Sequence, residues 1–392
     1  MKKFWIHAGT LIDGTGAEPK KNQAICVENG RVAAIEDFHG KNEEEWVDLS
    51  EMTVMPGMIN CHVHSLSPVG ISDEEENALT TMEKAWWGMK NAHDYIDSGV
   101  TFVRSLGSEK YYDLEMKKCI EEGKVAGPHM FCAGRVITMT GGHGWKSGLE
   151  SDGVDECRKH ARELLKHGVD LIKIMATGGV MTPGVEPGSA QLTMEEMKAA
   201  IDEAHKADRK TATHAQGTQG IKNALHAGID SIEHGIFLDD ECIDWMVEHG
   251  TYLVPTLAAP RCILDAGVEK GMKDYVLRKA NLVVDAHIES FKKAYQRGVK
   301  IAMGTDAGTP YNFHNNSAFE LELMVANGMK PMDAIVASTR NGADCIGVLK
   351  DYGTIEAGKV ADIIAIEGDP LQDISCVRKV RTVYKAGEKL KG

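Results

Sequence analysis

The chain reads as an α/β protein: a (β/α)8 TIM barrel over residues 54–348, with a small β-sandwich domain formed by the N- and C-terminal segments, 1–53 and 349–392. Three observations predict this. A helix-like stretch that ends in Gly and runs directly into a β-branched segment recurs five times, at Gly99, Gly168, Gly228, Gly250 and Gly298. Eight strand candidates alternate with helices over about 290 residues, which is barrel arithmetic. The two chain ends instead carry short alternating segments with turns, each too small to bury a core alone. A doubly wound open sheet is disfavoured because no G-x-G-x-x-G follows the first barrel strand.

In chain order, Met1 to His7 carries the basic charges of a signal peptide but no continuous apolar segment behind them, so it reads as the first strand. Asn29-Gly30, between the runs 24–27 and 31–35, is a hairpin turn. Barrel strands are expected at 54–64, 100–105, 129–133, 169–174, 210–214, 229–234, 251–256 and 299–304. Thr193 and Glu196 form a capping box that opens the helix before the fifth of these. The stretch 79–96, with Trp86-Trp87, is a helix packed on the barrel or a subunit contact. The acidic runs Glu43-Glu44-Glu45 and Asp73-Glu74-Glu75-Glu76 read as solvated surface, and the Gly- and Pro-rich stretch 180–192 as a substrate lid. Residues 361–366 and 378–384 return to the sheet domain, followed by a turn at Ala386-Gly387-Glu388.

Composition limits the function classes. A 392-residue chain that is 43% hydrophobic is not disordered. Its 44 basic against 58 acidic residues, net −14, exclude a nucleic-acid footprint. Nine cysteines, an odd number without a repeated C-x-x-C, read as reduced packing residues of a cytoplasmic protein. No apolar run approaches the roughly 20 residues that span a bilayer. A small-molecule substrate and a homo-oligomer are expected, without nucleic acid or membrane.

Six side chains carry candidate chemistry. His62 and His64, in His62-Val63-His64, stand at i and i+2 on a strand and point to one face, which in a barrel is the interior. Lys173 lies in an apolar run, Val169 to Met175, where an unpaired ammonium shifts toward its neutral amine. Such an amine is open to a Schiff base, to proton abstraction, or to a carbamate that bridges two metals; a snorkelling head is the plain alternative. His214, His234 and Asp306 end three further strands. Together these are N and O donors without thiolate, suited to Zn and compatible with Mn, Fe or Co. His143, in Thr140-Gly141-Gly142-His143-Gly144, is a loop histidine and a candidate substrate contact. Gln216 shares a strand face with His214, and Arg261 is a candidate carboxylate contact from the seventh strand's loop.

His62-Val63-His64, Lys173 in its apolar strand, His214, His234 and Gly304-Thr305-Asp306-Ala307-Gly308 resemble the metal-binding signature of the amidohydrolase superfamily. The similarity is greatest to the imidazolonepropionase-related branch, with its bacterial Xaa-Pro and Xaa-basic dipeptidases and ochratoxin-type amidases. It extends to Gly9-Thr10-Leu11-Ile12-Asp13-Gly14 and to Gly353 through Asp362. The resemblance implies a binuclear centre of two divalent metal ions, most readily Zn. His62, His64 and Asp306 would hold one metal, His214 and His234 the other, and Lys173, carrying carbon dioxide as a carbamate, would bridge them. It further implies hydrolysis of an amide, in a dipeptide or N-acyl amino acid, by a metal-bridging hydroxide. Asp306 would be the general acid/base, His143 a donor to the substrate, and a C-terminal amino acid the product. A ring-opening cyclic amidase and a deaminase are the enzyme alternatives, and a non-catalytic assembly subunit is the alternative of another class.

Overall fold

A computed structural model describes residues 3–392; Met1 and Lys2, read above as the start of the first strand, lie outside the described residues. The fold is α/β, with two parallel sheets and one mixed sheet.

The mixed sheet has seven strands in the order Glu388–Lys391, Val380–Lys385, Ile363–Ile366, Trp46–Pro56, Lys3–Leu11, Lys20–Glu28 and Arg31–Asp37. Both chain ends therefore share one sheet, joined where Ile363–Ile366 pairs antiparallel with Trp46–Pro56. At the expected hairpin, Glu28 faces Arg31 across Asn29 and Gly30, whose φ values of 55° and 79° are those a type I′ turn requires.

One parallel sheet has three strands, Met58–Val63, Val100–Ser105 and His129–Cys132. The other has six, in the order Tyr252–Val254, Ser231–His234, Lys210–Ala215, Leu171–Met175, Ile137–Thr138 and Leu149–Glu150, of which the last two short strands were not anticipated. Helices feed these strands through the expected glycines: Gly168, Gly228 and Gly250 cap their helices at φ of 83°, 91° and 70°. Thr193 caps the helix Met194–Lys206 with the reciprocal bonds of a capping box. The stretch 180–192 is a loop, and 73–78 is a short helix capped by Ser72.

Two expectations are corrected. The strand expected at 54–64 is two strands broken at Gly57: residues 54–56 stay in the mixed sheet, and only Met58–Val63 joins a parallel one. Gly57 is required there, since a Cβ would meet Thr101 Oγ1 at 2.2 Å. The eighth strand, expected at 299–304, forms no continuous ladder. Within it Ile301 forms one isolated bridge, to Leu253, and a second bridge, Val63 with Ala307, lies just beyond its end. The Met303 amide turns away to the Ala337 carbonyl, and Asp306 leaves the extended region at φ 59°. Backbone bonds still run between the two parallel sheets, on one side through the 299–304 segment, from Cys61 N to Met303 O (2.8 Å) and from Ala302 N to Leu253 O (3.0 Å), and on the other from Asp170 N to Cys132 O (2.9 Å).

Leu106, Ala133, Leu171 and Ala212 form a buried apolar cluster between the sheets. Lys173 and His214 lie two residues beyond Leu171 and Ala212 on their strands, hence on the same face. The apolar cluster thus floors the polar site.

Candidate metal centre

His62, His64, Lys173, His214, His234 and Asp306 converge on one cavity of about 730 Å³, which His143 and Gln216 also line. Arg261 is not brought there. It stands on the exposed side of the helix Ala258–Ala266, paired with Asp265 one turn on.

Ligand atoms of His62, His64 and Asp306 all lie within 4.8 Å of one another. Asp306 Oδ1 is 3.3 Å from His62 Nε2 and 3.1 Å from His64 Nε2. The His214 and His234 rings are 4.7 Å apart, and His62 and His234 are 5.1 Å apart. His143 stacks on His214 at 4.1 Å.

Three of the candidate ligand histidines have one nitrogen held by a residue outside the candidate ligand set. His62 Nδ1 donates to Glu233 Oε2 at 2.8 Å, His214 Nε2 donates to the Gly178 carbonyl at 3.0 Å, and His234 Nδ1 meets Thr256 Oγ1 at 2.7 Å. Engaging one nitrogen fixes ring orientation and, for His62 and His214, the tautomer, which is how metal-ligating histidines are held. Burial keeps the His62, His214 and His234 rings well below the usual imidazole range, so they are neutral, as ligands must be. Burial likewise lowers His143 to about 3. At Asp306 burial acts to raise the carboxyl, but its polar neighbours, the hydrogen-bonding His64 among them, prevail and lower it.

Lys173 is 1% exposed, and its amine has no hydrogen-bond partner among the described residues. Burial lowers it to about 8 against the attraction of Glu233. An orphaned, partly neutralised amine beside four imidazoles and a carboxylate fits a group that can accept cations or carbon dioxide, so the donor set suits the metals that the resemblance implies.

Sequence reasoning missed the support beneath this set. Glu233 is fully buried and accepts from three donors: His62, Arg104 Nη2 at 2.8 Å and Ser231 Oγ at 2.7 Å. Arg104 is also buried, and its Nε reaches the Cys61 carbonyl at 2.5 Å. The signal was available: Glu and Arg inside strands buried along their length deserve the scrutiny that Lys173 received. What could not be read is the backbone. Alternation would send Glu233 and His234 to opposite faces, but His234 adopts φ 71°, and both reach the same site.

Comparison with known proteins agrees. Ochratoxinase from Aspergillus niger is 30% identical over 427 residues, covering 99% of this chain and 86% of that protein. Imidazolonepropionase from Thermoplasma volcanium is 20% identical, covering 93% of this chain and 89% of that protein. A crystal structure of a Xaa-Pro dipeptidase with methionine bound in its active site superposes with a TM-score of 0.94 at 34% identity, covering 100% of both chains. Residues 53–390 match the amidohydrolase family, and the chain belongs to that family of hydrolases acting on carbon–nitrogen bonds.

Proposed function

We propose that this protein is a binuclear metal-dependent hydrolase that cleaves the amide bond of a dipeptide or an N-acyl amino acid and releases a C-terminal amino acid. The carrying observation is the buried Lys173 amine, which has no partner among the described residues and faces the histidines and Asp306 across one cavity. A carbamate on that amine would be an anion that answers its isolation. His62, His64 and Asp306 would hold one divalent cation, His214 and His234 the second, with Lys173 between; Zn suits the nitrogen and oxygen donors best.

Bound cations would supply acidified water and a polarised carbonyl. The rest falls to the chain's own residues. Asp306, kept ionised, takes a proton from the attacking water and returns it to the leaving amide nitrogen. His143, a neutral ring held through Nδ1 by Thr182 Oγ1 at 2.9 Å, turns Nε2 to the substrate's oxygen. Gln216 lines the same cavity and contacts the substrate's variable part. Val180, Met181 and Ile263 give the cavity an apolar side that excludes water.

In this reading the parallel sheets and the segment 299–307 make one (β/α)8 barrel, and the mixed sheet is the core of the small β-sandwich domain of residues 1–53 and 349–392. The protein works in the cytoplasm, in accord with nine unpaired cysteines, and no helix among the described residues is long and apolar enough to cross a membrane. It is a homo-oligomer, for which Met82, Trp86 and Met89, exposed at helical spacing on Thr81–Asp97, offer a contact face.

The test is metal analysis of protein prepared without chelator, paired with a screen against dipeptides and N-acyl amino acids. Two metals per chain and release of a C-terminal amino acid are expected. One metal or none defeats the binuclear centre, and no hydrolysis across the library defeats the substrate class. Asp306→Asn should keep its metal and lose turnover; full activity in that variant removes Asp306 from the proton transfer.

A further inference from the structure

The loop beyond Lys173 is held from behind by one face of the long helix Asp274–Gln296. Tyr275, Arg278 and Lys279 stand at i, i+3 and i+4 on it. The Tyr275 hydroxyl donates to the Met181 carbonyl at 3.2 Å, and Arg278 pairs with Glu186 at 2.8 Å at the surface. Lys279 is of another kind. It is 1% exposed, and its ammonium donates to three carbonyls of the loop, Gly179 (3.3 Å), Thr182 (2.8 Å) and Val185 (2.5 Å). Three donors meet three acceptors, so the set is complete. Without the ammonium, carbonyls would be left facing a helix whose adjacent positions, Val276, Ala280 and Val283, belong to an apolar cluster.

The other side of the same loop touches two site histidines. Gly178 O accepts from His214 Nε2, and Thr182 Oγ1 bonds His143 Nδ1. Gly179 lies so close to the His143 ring that a Cβ would come within 2.5 Å of it. Gly179 and Thr182 thus each give a carbonyl to Lys279 and a contact to His143.

We propose that Lys279 is a positioning residue. By gathering the three carbonyls it sets the loop in the one shape in which Thr182 fixes His143 and Gly178 fixes His214. It does not line the cavity and acts only through the loop. The kinetic consequence rests on the amide-hydrolysis reading; the setting of the loop does not.

The experiment compares metal-loaded wild type, Lys279→Met, Thr182→Val and the double variant. Hydrogen exchange is followed by mass spectrometry over residues 177–190, and kcat/KM is measured on the dipeptide cleaved fastest in the library screen. Lys279→Met should speed exchange in the loop by about tenfold or more and leave Leu171–Met175 protected. Its kcat/KM should fall by about ten- to a hundredfold, the scale of a small misplacement remote from the chemistry. The double variant should fall no further than the worse single one, because one residue acts through the other. Unchanged loop exchange overturns the proposal, as do losses that multiply in the double variant. If wild type hydrolyses no amide, the functional reading fails, and the exchange result alone decides the role of Lys279. Where Lys279→Met does not fold, Lys279→Gln, which keeps two donors, enters the same cycle.

Discussion

Lys173 and Lys279 are equally buried, each 1% exposed, yet their surroundings treat them in opposite ways. Lys279 abuts an irregular loop whose carbonyls turn inward, and all three of its donors are used. Lys173 lies in the middle of a parallel ladder, where neighbouring carbonyls bond the adjacent strands, and its amine is left with none. Burial alone therefore does not mark a functional lysine. Burial without a partner singles out Lys173 as the candidate for chemistry, whereas the satisfied Lys279 is suited to holding structure in place.

Several changes would break or sharpen this contrast. Lys173→Met should have the largest effect, an activity loss on the order of a thousandfold in assays with saturating metal, since it removes the bridging position of the proposed centre. A 13C NMR signal from labelled bicarbonate should appear in wild type and be missing from that variant; its presence in both would place the carbamate elsewhere. Glu233→Gln comes next. It takes a carboxylate from both His62 and Arg104, so metal affinity measured by competition with a chromophoric chelator should weaken about ten- to a hundredfold.

The stability contrast is smaller but changes sign. Lys279→Met strands the buried Gly179 and Thr182 carbonyls and the part-buried Val185 carbonyl and should destabilise the protein by about 2 kcal/mol, whereas Lys173→Met should stabilise the metal-free protein by up to about 3 kcal/mol near pH 7. The pH dependence follows from linkage. In the folded metal-free protein burial holds Lys173 at about 8, below the roughly 10.4 of an unfolded chain, so the unfolded state binds more protons between those values. Wild-type stability should therefore climb as pH rises from about 8 to about 10 and be lowest below that window, relative to a Lys173→Met reference without the slope. Denaturant titrations at several pH values will show it; parallel curves would mean that the amine is not desolvated. The smallest expected effect is a control at the start of helix Met194–Lys206, whose cap bonds neither lysine: Thr193→Ala, which removes the cap, should cost about 1 kcal/mol.

Much of this layout was legible in the sequence, because the signals are local. A glycine closing a helix and a β-branched run after it located four of the parallel strands, Val100–Ser105, Leu171–Met175, Ser231–His234 and Tyr252–Val254, and polar residues in or just after the strand-like runs pointed to the six converging side chains. What was not legible depended on distant partners. Gly57 splits an apparently continuous strand because Thr101 occupies the space of a side chain, and nothing near Gly57 announces Thr101. The last expected strand has the right composition, but the Met303 amide bonds a distant carbonyl, that of Ala337, rather than continuing the ladder. Arg261 was expected in a loop after the seventh strand, but it lies in the helix Ala258–Ala266, which turns it outward to Asp265. Lys279 was hidden by its helix, where a lysine among Arg278, Asn281 and other polar residues looks like solvated surface.

In the proposed centre, the peptide bond between Glu233 and His234 would join the carboxylate that orients His62 in one half-site to a ligand of the other. A displacement of His234 on cation uptake must carry Glu233 with it and change the hold on His62. If both half-sites of the proposed centre take a metal, they would fill cooperatively: a metal titration of the stripped protein should be steeper than two independent sites would give, and Glu233→Gln should flatten it toward two separate events.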